Sequence, residues 1–345
     1  MTTPPGAARL RIGAGLSLSG EHARFGTQAL RGLEVWKSGD DGIELVVEDD
    51  RSDPRTLEAT LRALAKRCDV LLGPYSTRLA RHAGDVAADL DLLIWNHGGS
   101  GDDVEAAHPG HVVSVLTPAG RYAEPFVRLL AGEGTLRHLC VVHGRGGFGR
   151  QVAAGAELTA HRLGLHVVRL GPGAPLPAEA GWALLCAGSF EEDVETVRRA
   201  RALPMPPGAV CSVAAGVRGF GEAVDEPHGV YGVGQWSPGS GSEPELGITE
   251  PDFLAGYRSR TGTLPDYPAV QAAATAVIAT HCVRLAGAVT RDALWQAAVE
   301  LETTTLFGAF KIAPDTGTQL GHRAVLVRWG ADGPVAVRGR RRPES

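Results

Sequence analysis

The segment His97-Gly98-Gly99-Ser100-Gly101 sets small residues and a hydroxyl just after an apolar run, the makings of a loop that stabilises an oxyanion. A hydrolase built on such a loop also needs a nucleophile in a G-x-S-x-G turn. No match exists: Gly15-Leu16-Ser17-Leu18-Ser19 fails at its last position, and Gly99-Ser100-Gly101 is out of frame. Ser100 therefore reads as a hydrogen-bonding group at a strand end, and the hydrolase stands as a minor alternative. Gly144-Arg145-Gly146-Gly147-Phe148-Gly149 fits G-x-G-x-x-G between a strand and a helix. The following strand ends without the acid that would hold a ribose, so a tight turn that admits a ligand is the better reading. No G-x-x-x-x-G-K-[ST] phosphate loop occurs. Asp49, Asp50 and Asp53 share a loop without a histidine and fit the capping of a helix starting at Pro54 better than a metal site. His22, His97 and His143 stand singly, with no nucleophile and carboxylate to complete a triad. The residues thus point to no catalytic group, no metal and no cofactor.

Composition narrows the classes further. The chain has 345 residues, enough for two lobes with real cores. Its charge of −5 offers no cationic field for nucleic acid, and the basic cluster at Arg338, Arg340, Arg341 and Arg342 reads as a solvated tail. The five cysteines sit singly inside apolar patterns, without metal-ligand spacing, and read as reduced core residues. Apolar runs such as Ala269 to Ala279 are too short or too interrupted to span a bilayer, so no membrane span is expected. The start, Met1-Thr2-Thr3-Pro4-Pro5-Gly6, lacks the charged and apolar regions of a secretory signal. As written the sequence implies a cytoplasmic chain, or an extracytoplasmic one if a leader has been trimmed.

The elements that must position these residues alternate. Strand Arg9 to Leu16 precedes a helix at Thr27 to Lys37, then strand Ile43 to Glu48 and a helix from Pro54 whose face is Leu57, Leu61 and Leu64. Strand Val70 to Leu72, helix Leu79 to Asp89 and strands Asp91 to Trp95 and His111 to Val115 follow. The rhythm restarts with helix Ala119 to Ala131, strand Leu139 to His143, helix Gly149 to Leu163 and strand His166 to Leu170. It continues with strand Trp182 to Ala187, helix Glu191 to Arg201 and strands Ala209 to Ser212 and Val230 to Val233. After a Ser/Gly/Pro-rich loop come helices Asp252 to Thr261, Ala269 to Ala286 and Arg291 to Leu301, strand-like Thr305 to Ile312, and strand Ala324 to Trp329. Two strand-helix series predict an α/β protein with two mainly parallel sheets flanked by helices, and ligands bind such sheets beyond the C-terminal strand ends.

Several segments, taken in order over nearly the whole chain, resemble the type I periplasmic-binding-protein family, in its leucine/isoleucine/valine-binding branch. They are Leu18-Ser19-Gly20 with Phe25-Gly26, Asp49-Asp50 with Asp53-Pro54, Gly73-Pro74-Tyr75-Ser76-Thr77, Phe148-Gly149, Gly229-Val230-Tyr231-Gly232 with Trp236, Tyr257 through Tyr267, Phe307-Gly308 and Asp315-Thr316-Gly317. The resemblance implies a two-lobed fold with three crossovers, lobe 1 from 8–117 plus 240–320, lobe 2 from 118–239 plus 321–337, and the tail at 338–345. It implies a non-catalytic receptor, the substrate-binding component of an ABC importer for an amino acid, amide or small carboxylate, held between lobes that close on a hinge. A cytoplasmic sensor of the same fold is the alternative, so the implied protein partner is an ABC permease or a regulatory protein.

The same resemblance implies the ligand residues. Ser76, Thr77, Gly98 and Ser100 would hold a carboxylate, with Phe25 and Phe148 as aromatic walls. His97, Gln235 and Tyr267 would line the site, beside Trp95, Asn96 and Trp236. In lobe 2 the positions that would receive an α-amino group carry Ser189 and Ala214, neither of them acidic. A buried ammonium without a carboxylate is costly, which favours a neutral-tailed ligand unless Glu21, Glu191 or Asp193 substitutes.

Overall fold

The computed structural model describes residues 9–241 and 243–337. The chain forms two compact units: the first runs up to Pro118 and resumes at Gly241–Arg323, and the second comprises Ala119–Ser240 and the chain from Ala324 onward. It therefore passes from one unit to the other at three points. The basic tail expected at 338–345 lies outside the described residues.

In chain order the first unit opens with β1 (Leu10–Leu16), α1 (Ala23–Lys37), β2 (Ile43–Asp49), α2 (Pro54–Ala65), β3 (Val70–Leu72), α3 (Thr77–Asp89), β4 (Ile94–Asn96) and β5 (Val112–Ser114). The second contains α4 (Glu124–Glu133), β6 (His138–His143), α5 (Gly147–Arg162), β7 (His166–Leu170), β8 (Trp182–Ala187), α6 (Phe190–Arg201), β9 (Ala209–Ser212), α7 (Phe220–Ala223) and β10 (Tyr231–Gly234). The chain returns to the first unit with α8 (Glu250–Thr261), α9 (Tyr267–Ala286), α10 (Arg291–Glu300), β11 (Thr303–Thr305) and β12 (Gly308–Phe310). It ends in the second with β13 (Val325–Gly330) and β14 (Gly333–Ala336).

The first unit's sheet has the order β2-β1-β3-β4-β5 and is parallel throughout. The second has the order β14-β13-β10-β9-β8-β6-β7, parallel from β7 to β10 and antiparallel at β13 and β14. Strands such as β3 and β8 are buried along their whole length, as sheets covered on both faces require. The helices start where the sequence supplies caps: Asp53 accepts the Thr56 N–H at 2.8 Å ahead of Pro54, and Leu57, Leu61 and Leu64 are the buried face of α2.

The core of the first unit is closed by α9. It packs on α1, β3 and β4, and Gly32 of α1 lies so close that a Cβ there would sit 2.0 Å from the Ala269 carbonyl oxygen. By length and composition α9 could cross a bilayer, unlike the shorter Ala269 to Ala279 run read from sequence, but 72% of its apolar window is buried inside the unit. It is a core helix.

Several expected elements differ. The helix expected at Ala119 to Ala131 is a 3-10 turn at Ala119–Arg121 followed by α4, because Pro125 has no N–H to carry a helix through and instead starts a new one. The strand expected at Thr305 to Ile312 is the hairpin β11–β12. Helix α1 begins at Ala23 rather than Thr27 and α5 at Gly147 rather than Gly149, which takes Phe25 and Phe148 into helical first turns. The short α7 and edge strand β14 have too few apolar residues to register as a period. Four of the five cysteines are buried, and all are free thiols.

Candidate functional site

Strand order locates the candidate site within each unit. In the first, β1 connects outward to β2 on one side while β3 and β4 build the other, so the chain reverses direction between β1 and β3; loops at such a switch point diverge and leave room for a ligand. Residues 17–22 follow β1, and residues 73–76 follow β3.

Both loops are fixed by short polar residues. Asp49, at the end of β2, accepts the N–H groups of Leu18 and Ser19 at 2.9 and 3.2 Å and the Ser19 hydroxyl at 2.6 Å. Burial pushes its carboxyl up, but hydrogen bonds from Ser19, Arg51 and Leu18 outweigh that and hold it below the usual value. Ser52 joins the same clamp, donating to the Ser19 carbonyl at 2.7 Å and accepting the His22 N–H at 3.0 Å. The acidic loop is thus a brace, and no group of three or more metal-type ligands exists among the described residues.

Ser76 has φ +88°, a left-handed conformation rare for a residue with a side chain, and its hydroxyl accepts the Leu79 N–H at 3.4 Å as the N-cap of α3. Strain of this kind persists only where surrounding contacts impose it, and it concentrates at ligand sites. The N–H of Ser76 is bonded to the Gly98 carbonyl at 3.1 Å, which joins this loop to the one after β4.

That second loop is organised by Asn96. Its Oδ1 accepts the N–H groups of Gly98 and Gly99 at 3.1 and 2.8 Å, and its Nδ2 donates to the Gly99 carbonyl at 2.7 Å and to the Ser114 hydroxyl at 2.6 Å. The Gly98 N–H expected to face a ligand is therefore occupied by Asn96. Gly98 is required for another reason: a Cβ there would lie 2.6 Å from both the Pro74 carbonyl oxygen and the Tyr75 Cα. His97 is fully buried, and burial outweighs the backbone of His97 and Gly73 and pulls its pKa down to about 4, so the ring is neutral. Thr77 is the buried first residue of α3, and Ser100 lies half-buried in the loop.

Aromatic rings surround these loops. Phe25 stacks on Tyr75 with centroids 4.5 Å apart and planes 11° from parallel, His22 approaches the same ring at 6.1 Å, and the Tyr75 hydroxyl reaches that of Tyr267 at 3.4 Å. Sequence reading placed Phe25 and Tyr267 here but missed Tyr75, their common neighbour, although it lies within the Gly73-to-Thr77 motif.

In the second unit the reversal falls between β6 and β8. Glu192 of α6 fills it: its Oε2 accepts the Ser189 N–H at 2.9 Å, its Oε1 accepts the Arg145 N–H at 3.3 Å, and a Cβ on Gly144 would lie 2.1 Å from Oε2. Ser189 answers by accepting the Glu192 N–H at 3.2 Å, a reciprocal capping box. The Ser189 hydroxyl is thereby engaged in starting α6. Ala214 is buried, and its N–H donates to Asp193 at 3.0 Å. Asp193 also accepts Gly188 N–H at 2.7 Å and the Ser212 hydroxyl at 2.9 Å, so it is saturated from within, and burial pushes its pKa up to about 6. Asp193 is thus a strut for this loop and no substitute for an amine-binding acid. The acid at the switch point is Glu192, next to the Glu191 considered from sequence, and Ser189-x-x-Glu192 was the legible signal for it. Phe148 packs edge-on to Tyr122 at 5.4 Å, and Gln235 and Trp236 are buried beyond β10.

Comparison with known proteins agrees with this architecture. The chain superposes on a leucine-binding protein from Thermotoga maritima with a TM-score of 0.81 at 14% identity, covering 95% of this chain and 98% of that one. A solute-binding protein of an ABC transporter from Rhodopseudomonas palustris, in complex with 3,4-dihydroxybenzoic acid, gives 0.76 at 15% identity and 95% coverage of both. A branched-chain amino acid transporter substrate-binding protein from Streptococcus pneumoniae, in complex with isoleucine, gives 0.77 at 13% identity, covering 95% of this chain and 99% of that one. No curated protein sequence matches significantly. Residues 9–177 match the family model described as periplasmic binding protein. With the two α/β units and their switch-point loops, this match over just under half of the chain makes the protein similar to the periplasmic binding protein family, and the superpositions show the same fold.

Proposed function

We propose that the protein is the solute-binding component of an ABC-type importer and takes a small carboxylate or amide with an apolar or aromatic body. The observation that carries the reading is the first unit's switch point, where Ser76, held at φ +88° at the start of α3, lies beside the Phe25–Tyr75–Tyr267 aromatic group. The N-terminus of α3 favours negative charge, and the rings favour a flat or branched hydrocarbon. Ser76, Thr77 and Ser100 are the residues proposed to meet the polar end. Phe25, Tyr75 and Tyr267 are proposed to meet the body, with His97 and Asn96 supporting the loop from behind. Two superposable proteins were crystallised with isoleucine and with 3,4-dihydroxybenzoic acid, which marks the range of ligands this architecture accommodates.

The second unit supports an acid or amide over a zwitterion. Asp193 is consumed by three internal donors, and both Glu192 oxygens are engaged by backbone N–H groups. The test is mass spectrometry of small molecules released by denaturing the purified protein, followed by calorimetry with the compound found and with leucine, isoleucine and 3,4-dihydroxybenzoate. A stoichiometric carboxylate or amide is expected. Absence of any retained or binding solute across that panel would overturn the receptor reading.

A further inference from the structure

The seven-stranded sheet of the second unit ends at β7, an edge strand. Its first residue, His166, is in register with His138, the first residue of β6, and paired positions of parallel strands project their side chains from the same face of the sheet. Both histidines are exposed. Their ring centroids lie 5.2 Å apart with the planes inclined at 51°, an arrangement in which the rings do not stack face to face. Neither ring takes part in a hydrogen bond or an ion pair among the described residues. The row continues inward to Trp182 of β8, which is in register with His138, and the same face of β6 goes on through Cys140 and Val142; all three are buried against α6 and α7. The two imidazoles are thus the polar outer end of an apolar face.

We propose that His138 and His166 form a chelating site for one divalent transition-metal ion such as zinc, nickel or copper, with water completing its coordination. Imidazole nitrogen suits these ions, whereas magnesium and calcium require oxygen ligands that the pair does not offer. The geometry agrees. With metal–nitrogen bonds of about 2.0–2.1 Å and a tetrahedral angle at the metal, two imidazole centroids fall about 5 Å apart, close to the separation found here. Arg169, the charged residue of β7, lies on the opposite face by strand alternation and is paired with Glu157 of α5 at 3.1 Å, so it does not oppose a cation at the histidines. No group of three or more metal-type side chains exists among the described residues, so the protein supplies two ligands and the site stays open to solvent. Once one imidazole is bound, the second bond forms within the molecule, which gains about a hundredfold over a single histidine. The ion would also tie the edge strand to β6. The first residues of β6 and β7 stand at the strand ends away from residues 144–146 and 188–189, and the inference does not rest on the receptor reading.

The experiment adds nickel or zinc ions to the full chain, without a histidine tag and stripped of metal, at about pH 7.5, because protons compete with metal for imidazole. Calorimetry should give one ion per chain, and magnesium should give no heat. Paramagnetic nickel should broaden the backbone amide NMR signals around His138 and His166 first. His138→Ala and His166→Ala should each weaken binding about a hundredfold. Because both positions are exposed, the variants should melt as wild type does in chelator, and only wild type should gain melting temperature on adding metal. His138→Gln and His166→Gln repeat the test with a side chain of similar reach. Absence of binding by wild type at millimolar metal, or binding that persists undiminished in all four variants, as it would at His82, Asp85 and His108 of the first unit, would overturn the proposal.

Discussion

The hydroxyls of Tyr75 and Tyr267 lie 3.4 Å apart although 192 residues separate them in the chain. Tyr75 belongs to the loop after β3 and Tyr267 opens α9, so the late helix is tied to the candidate site at its first residue. Tyr267→Phe keeps the ring and removes the bond. It is expected to cost about 0.5–1.5 kcal/mol in urea unfolding and to weaken ligand binding a few-fold. Tyr75→Ala, which also removes the stack on Phe25, should cost clearly more. Equal effects would show that the stack contributes nothing.

Gly32→Ala tests the close crossing of α1 and α9. The added methyl would meet the Ala269 carbonyl oxygen at 2.0 Å, and backbone cannot yield as a flexible side chain does. A loss of about 1–3 kcal/mol is expected, despite the higher helix propensity of alanine. An unchanged denaturation midpoint would mean that the helices separate freely.

His97 predicts acid sensitivity. Burial lowers its pKa from 6.5 to about 4, so its folded value lies below its unfolded one. The associated stability is present above about pH 6.5 and is lost as pH falls toward and through about 4, a contribution of roughly 3 kcal/mol. His97→Phe should therefore be less acid-sensitive than wild type when unfolding free energies at pH 4.5 and 7 are compared. Glu105 has the opposite sign: its raised value gives stability that is present below pH 4.5 and lost as pH rises through about 7. Parallel pH profiles for wild type and His97→Phe would show that the ring titrates alike in the folded and unfolded chain.

Leucine and 4-methylpentanoate, which differ only in the amino group, test the ligand's charge. With Asp193 saturated by Gly188, Ser212 and Ala214, the des-amino acid is expected to bind at least as well. A clear calorimetric preference for leucine would require Glu192 to turn from its backbone partners toward the ligand.

Much of the architecture is legible in the sequence because strands buried on both faces are continuous apolar runs and helix starts carry their caps, as Asp53-Pro54 does. Residues with two roles were harder to read. Ser189 has the type and position of a ligand-binding hydroxyl, yet it forms a capping box with Glu192, and the Ser-x-x-Glu spacing states this directly. Asn96 gave no such warning, because bonds from one amide to residues two and three ahead depend on a turn that has no hydrophobic period. Tyr75 was read as part of a motif, but its role comes from Phe25 and Tyr267, which reach it only in the folded chain. His97 has the type of a polar residue in a glycine loop, whereas in the fold it continues the uninterrupted buried run from Leu93 through β4.

The interruption of the first unit by the second governs how the protein can be made. When synthesis has reached Ser240, the strands β1 to β5 have been translated, but α9, which covers them and packs on α1, has not. The second unit is equally incomplete, since β13, which pairs with β10, and β14 come only after the chain has returned through the first unit. The first unit cannot finish folding before Arg323 is made, nor the second before β13 and β14 follow it, so the first unit's sheet stays without its late helices throughout synthesis of Ala119–Ser240. A nascent chain of this design has an extended interval of vulnerability to aggregation, in which holding by chaperones has the most effect.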